Sequence, residues 1–316
     1  MFIIYENKFG DFEELIIKNE ETDEFIVIVP ELGGIVRKIV LAQNETLHEV
    51  LKVPNTPEAL LADDSYASAI MFPFPSRIAG GKYEFEGKTY QLPINDTQYQ
   101  AAIHGFVAKR AFQFFDKKIE KESAEITLVH RYEGDYPGYP FPFELYITYV
   151  LNHEFGFQLK FTAKNTGTSA MPTAFGWHAY FKIDGQKVDD LSISMDDIAD
   201  EIQLDANLMP VSENMHDEEG YQPLAGVVLD NCYRVEVENS GCYLELLCHA
   251  TNQNLIIWQE TGINKFNYVV IYTPESRDCI AIEPITANVN AFNNKQGLVS
   301  LQPNKSFEAS IRVRFD

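Results

Sequence analysis

The chain has 316 residues, is 45% hydrophobic and 23% charged, and carries a formal net charge of −22, from 25 Lys and Arg against 47 Asp and Glu. That is an ordinary globular composition with material for a large core, and a field of this sign repels phosphate backbones and anionic membranes. Nucleic acids and lipid surfaces are therefore not expected partners, and the acidic excess reads as a solvated surface.

Along the chain, Pro57 to Asp63 can form one short helix with Pro in its first turn. Tyr83–Glu86 and Thr89–Leu92 read as a tight hairpin turning at Gly87-Lys88, which pairs Phe85 with Tyr90 and Tyr83 with Leu92. Period-two alternation then dominates. Leu145, Ile147, Tyr149 and Leu151 share one face of a strand, as do Phe157, Leu159, Phe161 and Ala163. Asp184 to Gly220 is rich in carboxylates with only Lys187 opposing them and reads as a solvated excursion, within which Asp196 to Glu201 can form a second short helix. Phe307, Ala309, Ile311, Val313 and Phe315 alternate with polar residues in a half-buried strand. Many strands and few helices imply an all-β fold, a large antiparallel β-sandwich with functional residues on strand ends and loops. All-β domains often run long, so residues 1–316 are read as a single domain.

Several motifs are missing. Cys232, Cys242, Cys248 and Cys279 show no Cys-x-x-Cys spacing and no accompanying His pair, so neither a zinc site nor a disulfide framework is expected, and a reducing compartment fits. Gly33-Gly34 and Gly80-Gly81 lack phosphate-loop spacing, and there is no Gly-x-Ser-x-Gly. No cofactor is expected. Met1 to Gly10 has no basic stretch leading into an apolar run, so no signal peptide or membrane span is expected there, and the cytoplasm is the expected compartment.

Five residues are candidates for chemistry. Arg77 lies between prolines that hold the chain extended and the glycines at 80 and 81 that release it; it can reach ligand hydroxyls or form a structural salt bridge. His104 precedes Gly105, which lets backbone approach whatever the imidazole touches, although a His capping a strand is the plainer reading. His178 sits in the aromatic run Phe175 to Phe181, and aromatic faces pack against the C–H faces of sugars. Asp230 follows a short apolar run and reads by itself as a turn residue. Glu283 ends the apolar run Ile280–Ile282 and precedes Pro284; a carboxylate there is costly to bury unless paired or used.

Taken together and in order, Pro30-Glu31-Leu32-Gly33-Gly34, Ser76 to Tyr83, Ile103-His104-Gly105, Asp135-Tyr136-Pro137-Gly138, Trp177 to Phe181, Leu229-Asp230 and Ile282-Glu283-Pro284 resemble the aldose 1-epimerase (galactose mutarotase) family. The resemblance implies a galactose mutarotase-like supersandwich with an open cleft and an isomerase that interconverts the α and β anomers of a free aldose. It implies Glu283 as catalytic base and His178 as general acid. Arg77, His104 and Asp230 would bind the sugar. A carboxylate and an imidazole suit proton transfer near neutral pH without a metal. Ser76, Phe106 and Ala179 stand where the family usually has Asn, Gly and Pro, and they are expected at the walls of the site. A hexose-6-phosphate mutarotase would need more Lys or Arg at the rim. A non-catalytic sugar-binding protein would not need Glu283 and His178, and a glycosidase would not need His178 as its acid. The expected partner is a small sugar, and the expected state a monomer or homodimer.

Overall fold

The computed structural model describes residues 1–236 and 241–316. Where period-two patterning is strongest, the chain forms adjacent strands: Phe143–Asn152, Gly156–Asn165 and Ser306–Phe315. Their registers set Leu145 opposite Ala163, Ile147 opposite Phe161, and Phe161 opposite Ala309. Alternate apolar side chains thus share one buried face, while Lys160 and Glu308 face solvent. These strands are the middle of a nine-stranded sheet. Its order is Gln113–Ile119, Ser123–Tyr132, the three strands just named, Gln253–Gln259, Cys242–Cys248, Ser192–Ser194 and Tyr221–Pro223.

An eight-stranded sheet runs Pro210–Met215, Ile198–Leu204, Asp230–Val235, Tyr268–Tyr272, Ile280–Ile285, Gly176–His178 and Ala69–Met71, and Tyr180–Phe181 also pairs with Ile280–Ile285. Phe161 of the first sheet stacks on Phe175, which leads into the Gly176–His178 strand, at 3.9 Å between ring centroids, and Phe157 meets Trp177 at 5.8 Å. A five-stranded meander, Phe2–Phe9 to Thr46–Glu49, completes the sandwich. One cluster of buried apolar side chains extends from Phe2 to Val313. Short helices occur at Pro57–Leu61, where Thr56 Oγ1 accepts from Ala59 N at 3.2 Å, and at Ala291–Asn294.

The structure corrects four sequence readings. The hairpin turns at Glu86-Gly87, both with positive φ (49° and 74°), and not at Gly87-Lys88. That two-residue turn suits strand twist, and it pairs Tyr83 with Tyr90 and Phe85 with Lys88. Asp196 to Glu201 is not helical. Ile198–Leu204 is a strand there, because Ile198 and Ile202 are needed inside the eight-stranded sheet. The acidic segment 184–220 therefore contributes to both sheets, with Leu191, Ile193 and Met195 also buried, and is not a solvated excursion. Glu283 does not end its strand, which continues through Pro284 to Ile285. Proline is tolerated because on one side the ladder pairs Ile285 with Gly176 and next Ala281 with Tyr180, so Pro284, opposite Trp177, falls in the gap between.

The stacked Phe161 ring couples the two large sheets. Phe161→Ala is expected to cost about 3–5 kcal/mol, read as a lower urea midpoint in a denaturation curve followed by far-UV circular dichroism. An unchanged midpoint would show that the sheets do not depend on this contact.

Candidate active site

The eight-stranded sheet has two different faces, and strand periodicity assigns each residue to one of them. Ile280 and Ile282 point into the main core, as do Val269 and Ile271 of the neighbouring strand. Glu283 and Val270 are direct partners and point to the opposite face, where Ile202, Cys232, Tyr268 and Ile285 form a small second apolar cluster. Beside that cluster lies a cavity of 610 Å³, lined by Arg77, His104, His178, Asp230 and Glu283 together. The five residues come from widely separated parts of the sequence, from Arg77 to Glu283.

Each is positioned by a different device. His178 ends the Gly176–His178 strand, and its Nε2 lies 3.3 Å from Glu283 Oε1; the two side chains are only 8% and 5% exposed. Tyr66 and Tyr180 both stack against the imidazole, at 6.3 Å and 5.1 Å between centroids. Arg77 opens the Arg77–Ala79 strand, which pairs with Ala101–Ile103, so that Ile103 lies opposite Arg77 and His104 opposite Ser76. His104 Nδ1 accepts from the Ser76 backbone N–H at 3.3 Å, and His104 N donates to Ser76 O. An amide N–H can donate only to an unprotonated nitrogen, so the imidazole presents its N–H through Nε2. His104 has φ 59° and Gly105 φ 67°. A Cβ at Gly105 would lie 2.0 Å from Phe72 O, so this close backbone crossing requires glycine. Arg77 Nε donates to Asp96 Oδ2 at 2.7 Å, and its guanidinium lies over the Tyr99 ring at 4.8 Å. Asp230 begins the Asp230–Val235 strand at the open end of the cavity.

The electrostatics follow from burial. Desolvation, reinforced by the negative charge of Asp230 and opposed by Arg77, pushes the Glu283 carboxyl up to about 8. Desolvation, with Arg77 adding to it, pushes His178 down to about 3. Desolvation and the neighbouring His178 and Arg77 hold His104 well below the usual histidine range. At neutral pH the pair therefore carries one proton, on Glu283. This arrangement can accept one proton and deliver another at adjacent points. Among the described residues, no group of three or more His, Cys, Asp or Glu is arranged to hold a metal ion.

Sequence reasoning missed Tyr66, Asn95, Asp96 and Lys109, which also line the cavity. Tyr66 carried no composition signal: it enters through a loop in which Tyr66 and Ser68 both have positive φ. Tyr180 was visible in the aromatic run around His178 but had no assigned role. Of the three departures expected at the walls, only Ser76 lines this cavity. Phe106 lines a neighbouring one, and Ala179 is fully buried in the core, since its strand neighbours point to the other side.

Fold and site together define a large antiparallel β-sandwich that carries a buried histidine–carboxylate pair in a polar cavity. The family described as aldose 1-epimerase matches residues 16–314, and the chain belongs to that family. Among its relatives, the Escherichia coli K-12 protein YihR is 27% identical over 263 residues, 81% of this chain and 80% of YihR. Rat galactose mutarotase is 28% identical over 178 residues, 55% of this chain and 47% of the mutarotase, so that match spans about half of the relative. A galactose mutarotase-like protein from Clostridium acetobutylicum has the same fold, with a TM-score of 0.87 at 19% identity over 100% of this chain and 98% of its own. Galactose 1-epimerase from Lactobacillus acidophilus has a TM-score of 0.74 at 17% identity over 100% and 98%. Among the described residues, no helix is long and apolar enough to cross a membrane.

The charge of Asp230 is expected to be felt at Glu283. In ligand-free protein with carboxyl-labelled glutamate, carbon NMR should show one side chain titrating near pH 8, and Asp230→Asn should move that titration downward. A Glu283 carboxyl titrating with the surface glutamates would contradict the buried, desolvated pair.

Proposed function

We propose that the protein is an aldose 1-epimerase that interconverts the α and β anomers of a free aldose by ring opening and reclosure. The observation that carries this reading is the buried contact between His178 Nε2 and Glu283 Oε1 at 3.3 Å on the wall of a sugar-sized cavity. The two oxygens that exchange protons in mutarotation, the anomeric hydroxyl and the ring oxygen, are bonded to the same carbon. Acid and base must therefore stand side by side, as these two groups do.

The chemistry uses one proton on the pair. Before ring opening the proton moves from Glu283 to His178. Glu283 then takes the proton of the anomeric hydroxyl, and His178 gives its proton to the ring oxygen as the bond to the anomeric carbon breaks. The pair is left with Glu283 protonated and His178 neutral, the state in which it began. The aldehyde rotates, and closure runs the transfers backward on the other face. His104, through its Nε2–H, and Arg77, held by Asp96, donate to sugar oxygens. Asp230 accepts from hydroxyls.

The cavity lining favours an uncharged sugar over a phosphorylated one. Its cations are Arg77, already paired with Asp96, and Lys109, whose Nζ donates to Asp63 O at 2.8 Å. Against them stand Asp63, Asp64, Asp96 and Asp230. The relatives named galactose mutarotase support the same reaction class.

Two measurements test the assignment. Glu283→Gln preserves size and resembles the protonated resting carboxyl, so folding should be kept. Anomer-exchange NMR should show turnover lowered by roughly 10²-fold or more, with KM little changed, because only the transition state loses an interaction. Near-normal turnover would remove Glu283 from the mechanism. The pH profile of kcat/KM is the second. Above about pH 8 the pair loses its single proton and no acid remains, so the rate should fall about tenfold per pH unit. The loss at low pH should come only as His178 and Glu283 are both protonated, toward pH 3, when no base remains. A rate that keeps rising through pH 9 would contradict the one-proton pair.

A further inference from the structure

A second cavity, of 470 Å³, shares a wall with the first. The strand Ala101–Ile103 and the turn after it separate them: Ile103 and His104 line the first cavity, and Ala102 and Gly105 the second. Asn95 lines both. Its amide is locked over the strand edge, with Oδ1 accepting from Ile103 N at 2.8 Å and Nδ2 donating to Ile103 O at 3.0 Å and to Tyr66 Oη at 3.2 Å. The divide between the cavities is thus one polar side chain of fixed orientation at the surface.

The walls of the second cavity are aromatic: Phe74, Phe106, Tyr132 and Tyr136. Both tyrosine hydroxyls are tied to backbone, Tyr132 Oη donating to Tyr139 O at 2.9 Å and Tyr136 Oη to Gln91 O at 3.2 Å. The rings are therefore held as fixed faces, which costs a ligand little ordering entropy. Arg110 and Asp135 supply the polar groups. Both are exposed, and among the described residues neither side chain makes an ion pair or a hydrogen bond, with each other or with any neighbour. The cavity so presents an unused fork of donors, an unused carboxylate and no net charge. A flat ligand with C–H faces and a rim of hydroxyls meets all three features, whereas an anion or a cation would face one wrong charge.

We propose that this second cavity binds the non-reducing ring of a reducing disaccharide whose reducing-end ring occupies the His178–Glu283 cavity. The glycosidic link passes over Asn95, and Arg110 and Asp135 bind hydroxyls of the second ring. This inference rests on the anomer-exchange reading for the first cavity and extends it to substrate length. Mutarotation needs a free anomeric carbon only at the reducing end, so a second ring leaves the chemistry unaltered.

The test compares glucose and galactose with maltose, cellobiose and lactose in anomer-exchange NMR of the reducing end. In the wild-type protein, at least one disaccharide should show a KM about tenfold lower than its reducing-end monosaccharide. Arg110→Ala and Asp135→Ala should each raise that disaccharide KM several-fold with kcat unchanged, the mark of lost ground-state binding. They should leave monosaccharide kinetics as in the wild type. Equal or poorer KM for every disaccharide would overturn the proposal, as would variants that leave the disaccharide KM in place. If no sugar is turned over, the proposed reaction fails, and the subsite is then judged by calorimetric titration of the same disaccharides. Tighter binding than the monosaccharide, weakened by Arg110→Ala, would sustain it, and equal binding would overturn it.

Discussion

Placing a carboxylate and an imidazole against each other out of water is the constraint on which the rest of this structure depends. Two ionised groups in such a place lose several kcal/mol of hydration each, so the pair settles on a shared proton and a net charge near zero. That settlement holds only while the two side chains stay in register. The register comes from a ladder: Glu283 is fixed by its partner Val270, and His178 by the strand on the other side. The ladder is in turn held by the apolar inner face, where Ile280 and Ile282 sit in the main core. A rigid hydrophobic layer beneath is what lets the outer face carry groups that would otherwise relax apart or flood with water.

Around the pair, the chain adopts conformations that only a firm scaffold sustains. Tyr66, Ser68, Ser76 and His104 all have positive φ, each at a cost on the order of 1 kcal/mol or more. The tethers are visible: Ser76 and His104 bond each other twice, Trp177 Nε1 donates to Ser68 Oγ, which donates to Val36 O, and Tyr180 Oη donates to Ser65 O. The result is an imidazole packed against two phenol rings whose own backbone and hydroxyl are tied down.

Much of this was legible in the sequence, for physical reasons. Strands that are apolar on one side and polar on the other announce themselves, so the central strands around Leu145, Phe161 and Ile311 were readable residue by residue. The five residues gathered in the cavity were found because they stand in motifs whose order resembles one family. The hairpin register was misread by one residue because Glu86 as well as Gly87 adopts positive φ, which a non-glycine side chain does not advertise. Ile198–Leu204 was misread because buried positions there are four apart, a spacing a helix shares. Tyr66, Asn95 and Asp96 stand in loops with no periodic pattern, and their places are set by side-chain contacts, Tyr66 to His178 and His104, Asn95 to Ile103 and Asp96 to Arg77, that local sequence does not show.

The order of strands in the nine-stranded sheet has a bearing on how the chain comes together in time. Ser306–Phe315 lies between Gly156–Asn165 and Gln253–Gln259 and pairs with both. Those two segments never touch as neighbours, so the middle of the sheet stays open, with two exposed edges, until synthesis has passed residue 306. During translation the N-terminal meander and the hairpins around Phe143–Asn152 can form from local pairings, but the sheet that supports the cavity cannot close. Unpaired edges invite association with other chains, and the growing chain carries the edge of Gly156–Asn165, and later that of Gln253–Gln259 as well, until Ser306–Phe315 is made. The strand that seals the sheet is thus made after both of its neighbours, and a cut shortly before it would remove a central strand, not a tail.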